Sequence, residues 1–261
     1  MENLVKILKK PALILNRFYR LLTGINITLI QINYEGIQNL PLLGDKLMYI
    51  NLDKFIATLP KYTQELGELF TAHGSDKATK HDYYKLYAYL LEKNKENDIN
   101  ILEIGLGTNN TSIPSNMTSS GKPGASLRAF RDYYEKANVF GADIDSDILF
   151  EESRIKTFFV DQTKPETFTE LKKQLPKKFD LIIDDGLHEP IANINTVREL
   201  SDLVAPGGFL VVEDIFEGYL PVWQTALSQL PDEWNGTLVK CKSEFIVVLE
   251  KTLSKNGQGA I

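Results

Sequence analysis

The chain has 261 residues, 43% hydrophobic and 25% charged, with a formal net charge of −6. This is ordinary globular usage and excludes a disordered or fibrous chain. The single cysteine, Cys241, excludes an intrachain disulfide and a multi-cysteine metal site, and the acidic balance argues against nucleic acid as a general partner. With no uncharged run near the ~20 apolar residues of a spanning helix, the chain reads as soluble and cytoplasmic.

Residues 1–34 carry Lys6, Lys9, Lys10, Arg17 and Arg20 against Glu2 alone. At helical spacing these basic side chains share one face, and Leu4, Ile7, Leu8, Ile14, Leu15 and Phe18 fill the rest. Such a helix over 1–22 suits either peripheral contact with the anionic inner face of a membrane or packing on the protein's own body or a second subunit of a homo-oligomer. Residues 1–70 are read as an N-terminal, mainly helical extension, and 71–261 as the main domain.

Tyr84, Leu86, Tyr87, Leu90 and Leu91 recur at helical spacing, and Ile101 to Ile104 is a buried strand running into the Gly105 turn. Further strands are predicted at Val139 to Ile144, Lys156 to Val160, Phe179 to Ile183 and Phe209 to Val212, with helices around 126–134, 166–175 and 191–203 between them. Gly236 to Lys242 and Glu244 to Leu249 form a hairpin around Lys242-Ser243. Strands alternating with helices imply an α/β fold, a doubly wound, mostly parallel seven-stranded sheet with a C-terminal antiparallel hairpin.

Ligands of such sheets bind beyond the carboxyl ends of the strands, so the residues there carry the functional reading. The first strand ends in Gly105-Leu106-Gly107, where small residues admit a ligand close to the backbone. Asn110 stands where a dinucleotide fingerprint has its third glycine, which counts against a nicotinamide-dependent oxidoreductase on a similar sheet, the rival reading. Asp143 closes the second strand, as an acid that accepts from ribose hydroxyls would, and Asp161 closes the third, where it either accepts from an adenine amino group or caps the next helix. The fourth strand runs into Asp184-Asp185-Gly186-Leu187-His188 and the fifth into Glu213-Asp214. Paired carboxylates ending apolar strands repel one another and are costly to desolvate unless a hard divalent cation joins them. Asp185, Glu213 and Asp214 are the candidate oxygen ligands for Mg²⁺ or another divalent ion. His188 is the candidate general base, since histidine is the residue type whose unperturbed pKa, near 6.5, suits proton transfer at neutral pH.

The segments Leu102-Glu103-Ile104-Gly105-Leu106-Gly107, Gly141-Ala142-Asp143 and Ala205-Pro206-Gly207-Gly208 resemble the class I S-adenosylmethionine-dependent methyltransferases, with their Rossmann-like fold. Ile183-Asp184-Asp185-Gly186-Leu187-His188 and Val212-Glu213-Asp214 resemble, within that class, the metal-dependent macrolide sugar O-methyltransferases of the mycinamicin and macrocin types, and more distantly the cephalosporin-pathway methyltransferase. His73-Gly74-Ser75-Asp76-Lys77 and Pro123-Gly124-Ala125-Ser126-Leu127-Arg128 match the same group, so the resemblance runs from about 70 to 216. It implies S-adenosylmethionine as cofactor, lined by Glu103, Gly105, Gly107, Asp143 and Asp161 and covered by Ser75, Asp76 and Lys77. It implies Asp185, Glu213 and Asp214 as metal ligands, and His188, with Asp185, as the catalytic pair. The acceptor is then a small-molecule or glycan hydroxyl, with a phosphate-type oxygen or a catechol as alternatives.

Overall fold

The computed structural model describes residues 49–57 and 64–253. The basic segment of 1–34, with its expected membrane or subunit contact, lies outside the described residues. In chain order the elements are β1 (Ile50–Asn51), α1 (Leu52–Ile56), α2 (Glu65–His73), α3 (Tyr83–Leu90), β2 (Asn100–Ile104), α4 (Ala125–Tyr133), β3 (Asn138–Asp143), β4 (Glu151–Glu152), β5 (Ile155–Phe159), α5 (Pro165–Lys172), β6 (Phe179–Asp184), α6 (Pro190–Leu200), β7 (Val204–Ile215), α7 (Leu220–Leu227), β8 (Trp234–Lys240) and β9 (Phe245–Lys251).

The strands form one sheet in the order β1-β8-β9-β7-β6-β2-β3-β5-β4. β2 pairs in parallel with both β3 and β6, and β3–β5 and β6–β7 extend the parallel region to either side. β9 inserts antiparallel between β7 and β8, which is the expected C-terminal hairpin. The seven longer strands are the predicted ones. The two-residue β1 and β4, at opposite edges, are too short to leave a period-2 signature in the sequence.

Alternate residues of the central strands feed two cores, as the two-residue period of a strand requires. Leu181, Ile183, Val211 and Val248 pack with Leu66, Phe70, Tyr87 and Phe130 from α2, α3 and α4. Ile182, Leu210, Val212 and Val247 pack with Phe168, Ile194, Leu200 and Trp223 from α5, α6 and α7. Both faces are covered, which is why these strands read as unbroken apolar runs. α2 runs across residue 70, and its Leu66 and Phe70 belong to the core beside the sheet.

One strand differs from its prediction. β7 begins at Val204 and passes through Pro206-Gly207-Gly208, ahead of the expected start at Phe209. The pairing with β6 shifts register between Phe179 and Leu181, and this irregularity takes up the extra residues. A second shift, against β9, falls between Val212 and Ile215, where three steps along β7 face two along β9. That bulge lies at Glu213 and Asp214.

Candidate functional site

The order of the sheet reverses at β2, with β3 and β5 on one side and β6 and β7 on the other. A cavity of about 770 Å³ opens at the carboxyl ends of these five strands. Gly105 has φ +98°, and a Cβ there would lie 2.1 Å from the Asp185 carbonyl oxygen, so glycine is what lets the β2 and β6 loops meet. Ser75, Asp76, Lys77, Gly105, Gly107, Asp143, Asp161, Asp185, His188, Glu213 and Asp214 all line the cavity. Glu103 does not; it is fully buried beneath Lys77, where it accepts from the Ser126 hydroxyl.

On the β2–β3–β5 side, acidic side chains brace neighbouring backbone. Asp143 accepts from Leu106 N at 2.6 Å and Asp145 N at 2.9 Å, joining the two loops, and its oxygens have further lone pairs for a ligand. Burial raises the Asp143 carboxyl above its ordinary pKa against these two hydrogen bonds. Asp161 accepts from Thr163 N and Oγ1 and pairs with Lys164 at 2.8 Å, so its carboxylate is engaged in the turn before α5. Burial would raise its pKa, but Lys164 and Thr163 hold it below the usual range.

On the β6–β7 side, the carboxylates meet side chains from distant segments. Lys77, 2% exposed, lies on a short turn (Asp76–Ala78) capped by Ser75, and its Nζ contacts Asp185 Oδ2 at 2.6 Å, Glu213 Oε2 at 2.5 Å and Glu103 Oε1 at 3.2 Å. Burial would lower the lysine pKa, yet Asp185, Glu213 and Glu103 raise it well above the ordinary value. The other Glu213 oxygen accepts from the Tyr87 hydroxyl, and Asp214 Oδ1 accepts from the Tyr83 hydroxyl at 2.5 Å. Burial, followed by the charge of Asp185, pushes Glu213 upward. Asp214 is held below the ordinary carboxylate range, because Tyr83 and the nearby histidines outweigh its burial.

Successive residues of a regular strand point to opposite faces, yet Glu213 and Asp214 both reach tyrosines of α3. The bulge and the left-handed backbone of Asp214, φ +53°, make this possible. His188 also has positive φ, +58°. Its Nε2 lies 3.9 Å from both Asp185 Oδ1 and Asp214 Oδ2, while its buried Nδ1 has no hydrogen-bond partner in the protein. Two such backbones in non-glycine residues at one place store strain where a site is assembled.

The expected trio of Asp185, Glu213 and Asp214 therefore converges, but with Glu213 engaged by Lys77 and Tyr87. Among the described residues, the group whose donor atoms lie within 4.8 Å of one another is Asp185, His188 and Asp214. Sequence reasoning missed Tyr83 and Tyr87 as site residues, placing Tyr87 on the apolar face of a helix and giving Tyr83 no role. Two tyrosines four residues apart on a buried face were the available signal, since a buried phenol needs a hydrogen-bond partner. It also missed Gln162, which donates to Asp184 at 2.7 Å and to Thr196 at 2.8 Å and accepts from Leu187 N at 2.8 Å, tying the end of β5 to that of β6.

No family model matches the chain. It is 30% identical over 161 residues to an 8-demethyl-8-alpha-L-rhamnosyl tetracenomycin-C 2'-O-methyltransferase of Streptomyces olivaceus, an alignment covering 62% of this chain and 40% of that protein. It is 32% identical over 127 residues to a demethylmacrocin O-methyltransferase of Streptomyces fradiae, covering 49% and 30%. The chain thus spans well under half the length of the curated relatives it matches. Among solved structures, a methyltransferase of the mycinamycin biosynthetic pathway in complex with Mg, SAH and mycinamycin VI superposes with a TM-score of 0.58 at 21% identity, covering 75% of this chain and 57% of that one. By its sheet and by these likenesses, the chain has the class I S-adenosylmethionine-dependent methyltransferase fold and resembles, within that class, the sugar O-methyltransferases of macrolide and tetracenomycin biosynthesis.

Proposed function

We propose that this chain transfers the sulfonium methyl group of S-adenosylmethionine to a hydroxyl of a sugar or glycan precursor, with a divalent cation held by Asp185, Asp214 and Glu213. The observation that carries this reading is the convergence of Asp185, His188 and Asp214 at one end of the cavity, with Asp143 and the Gly105–Gly107 turn along the rest of its wall. The named activities of the relatives and the Mg and SAH of the mycinamycin-pathway structure support it. Carboxylate oxygens suit Mg²⁺, and the orphaned His188 Nδ1 leaves that ring free of other commitments. The cavity is lined by seven carboxylates against three lysines, an electrostatic environment that favours a cationic cofactor.

A bound divalent ion would supply Lewis acidity that lowers the pKa of the acceptor hydroxyl. Nε2 of His188 takes the hydroxyl proton, and the imidazolium so formed is stabilised by Asp185 and Asp214, each 3.9 Å away. Asp143 keeps the β2 and β3 loops together, so the ribose and the reacting end of the cofactor are oriented by one rigid wall. Buried Gln162 fixes the β6 loop through Leu187 N, next to His188.

An acceptor screen with S-adenosylmethionine and Mg²⁺, read as SAH release, tests the reading. Glycosides should be methylated, and chelation should suppress turnover until Mg²⁺ is restored. Full activity in chelator would remove the ion. Binding of NAD(P)H in place of SAH would remove the reaction class.

A further inference from the structure

The acidic cluster at the ends of β6 and β7 divides at Asp185. Its Oδ1 faces His188 Nε2, as does Oδ2 of Asp214, each at 3.9 Å. Its Oδ2 faces inward and, with Glu213 Oε2 and Glu103 Oε1, grips the ammonium of Lys77. An ion spanning the two strand ends needs the same Asp185 and Glu213 groups that the lysine holds at 2.6 and 2.5 Å.

We propose that Lys77 is a built-in competitor of the divalent ion, its ammonium occupying the Asp185 and Glu213 oxygens until the ion displaces it. This rests on the metal reading given above. Glu103 and Glu213 are 0% and 1% exposed, and buried carboxylates left without a counter-charge are strongly destabilising. Lys77 supplies that charge from within the chain, so the protein needs no ion in order to fold. When an ion does bind, the two cations share ligands in a poorly screened setting, where their repulsion is far larger than in water. The lysine can yield because it sits on a single turn, Asp76–Ala78, in the wall of the cavity, so its side chain can swing into the cavity without unwinding a long helix.

The test is Mn²⁺ binding to the full chain, followed by electron paramagnetic resonance without cofactor or acceptor. Lys77→Met should bind Mn²⁺ about tenfold or more tightly than wild type. A loss of structure weakens metal binding, so tightening separates competition from mere damage. Should Lys77→Met fail to fold, Lys77→Met with Glu103→Gln removes one buried charge as well and should show the same tightening. Wild-type binding that is unchanged or weakened in whichever variant folds overturns the role of Lys77 alone. Absence of Mn²⁺ binding in wild type and variants alike overturns the ion itself, and this inference with it.

Discussion

At the ends of β3 and β5 the acidic side chains answer to residues nearby in the chain, as Asp161 does to Thr163, or to the adjoining loop, as Asp143 does to Leu106 N. Past the ends of β6 and β7, Asp185, Glu213 and Asp214 answer to Lys77, Tyr83 and Tyr87, each more than a hundred residues away in sequence. The first set of contacts joins neighbouring parallel strands and their loops. The second joins α3 and the turn before it to the sheet. The two halves of the cleft are thus held by separate sets of contacts, with Gln162 reaching from one to the other.

If the halves are separable in this way, substitutions should divide their effects. The largest expected effect is that of His188→Ala, which should slow turnover about 10²–10⁴-fold, the contribution of a positioned base, with SAH affinity retained in calorimetry. Loss of SAH binding in that variant would merge the two halves. Asp143→Ala should do the reverse. It should lose about 1.5–3 kcal/mol of SAH affinity, the worth of hydrogen bonds to a charged group, while Mn²⁺ affinity stays at the wild-type value. Unchanged SAH affinity would leave Asp143 a loop brace only.

The smallest effect is a control outside both halves. Glu152, beside β5, accepts from Arg128 and Arg131, and the Arg128 hydrogen bonds hold its carboxyl below the ordinary value of 4.5 despite some burial. Because the folded pKa is depressed, the stabilisation is complete above pH 4.5 and is lost as pH falls through the folded value. At neutral pH, Glu152→Gln should cost under about 1 kcal/mol in urea unfolding, since the pair is partly exposed, and the difference from wild type should vanish in acid. SAH and Mn²⁺ binding should not change.

The same division governs what could be read from the sequence. Strands such as Ile101 to Ile104 and Phe179 to Ile183 were legible because burial on both faces leaves uninterrupted apolar runs. The acidic strand ends were legible because Asp185 and Glu213-Asp214 break those runs abruptly. Lys77 was assigned to the cover of the cofactor, by resemblance, and its pairing with Glu213 was not visible, because nothing local records a contact 136 residues away. The bulge in β7 was equally hidden. Its cause is the register against β9, a strand thirty residues further on, and a pair of adjacent carboxylates looks the same in sequence whether or not the backbone between them is kinked.

β7 also behaves as a ruler. Its twelve residues run from the opposite end of the strands to the acidic cluster, and its pairing with β6 and β9 sets where residue 213 arrives. Removing one residue between Phe209 and Val212 would turn Glu213 away from Tyr87 and Lys77 toward the face packed by α5, α6 and α7, because side chains alternate along the strand. The segment from β7 to β9 can therefore vary in its loops, and can be exchanged between related chains, only if the count of residues up to the bulge is conserved. What β7 transmits to the site is a length, one that substitution of a single side chain leaves untouched.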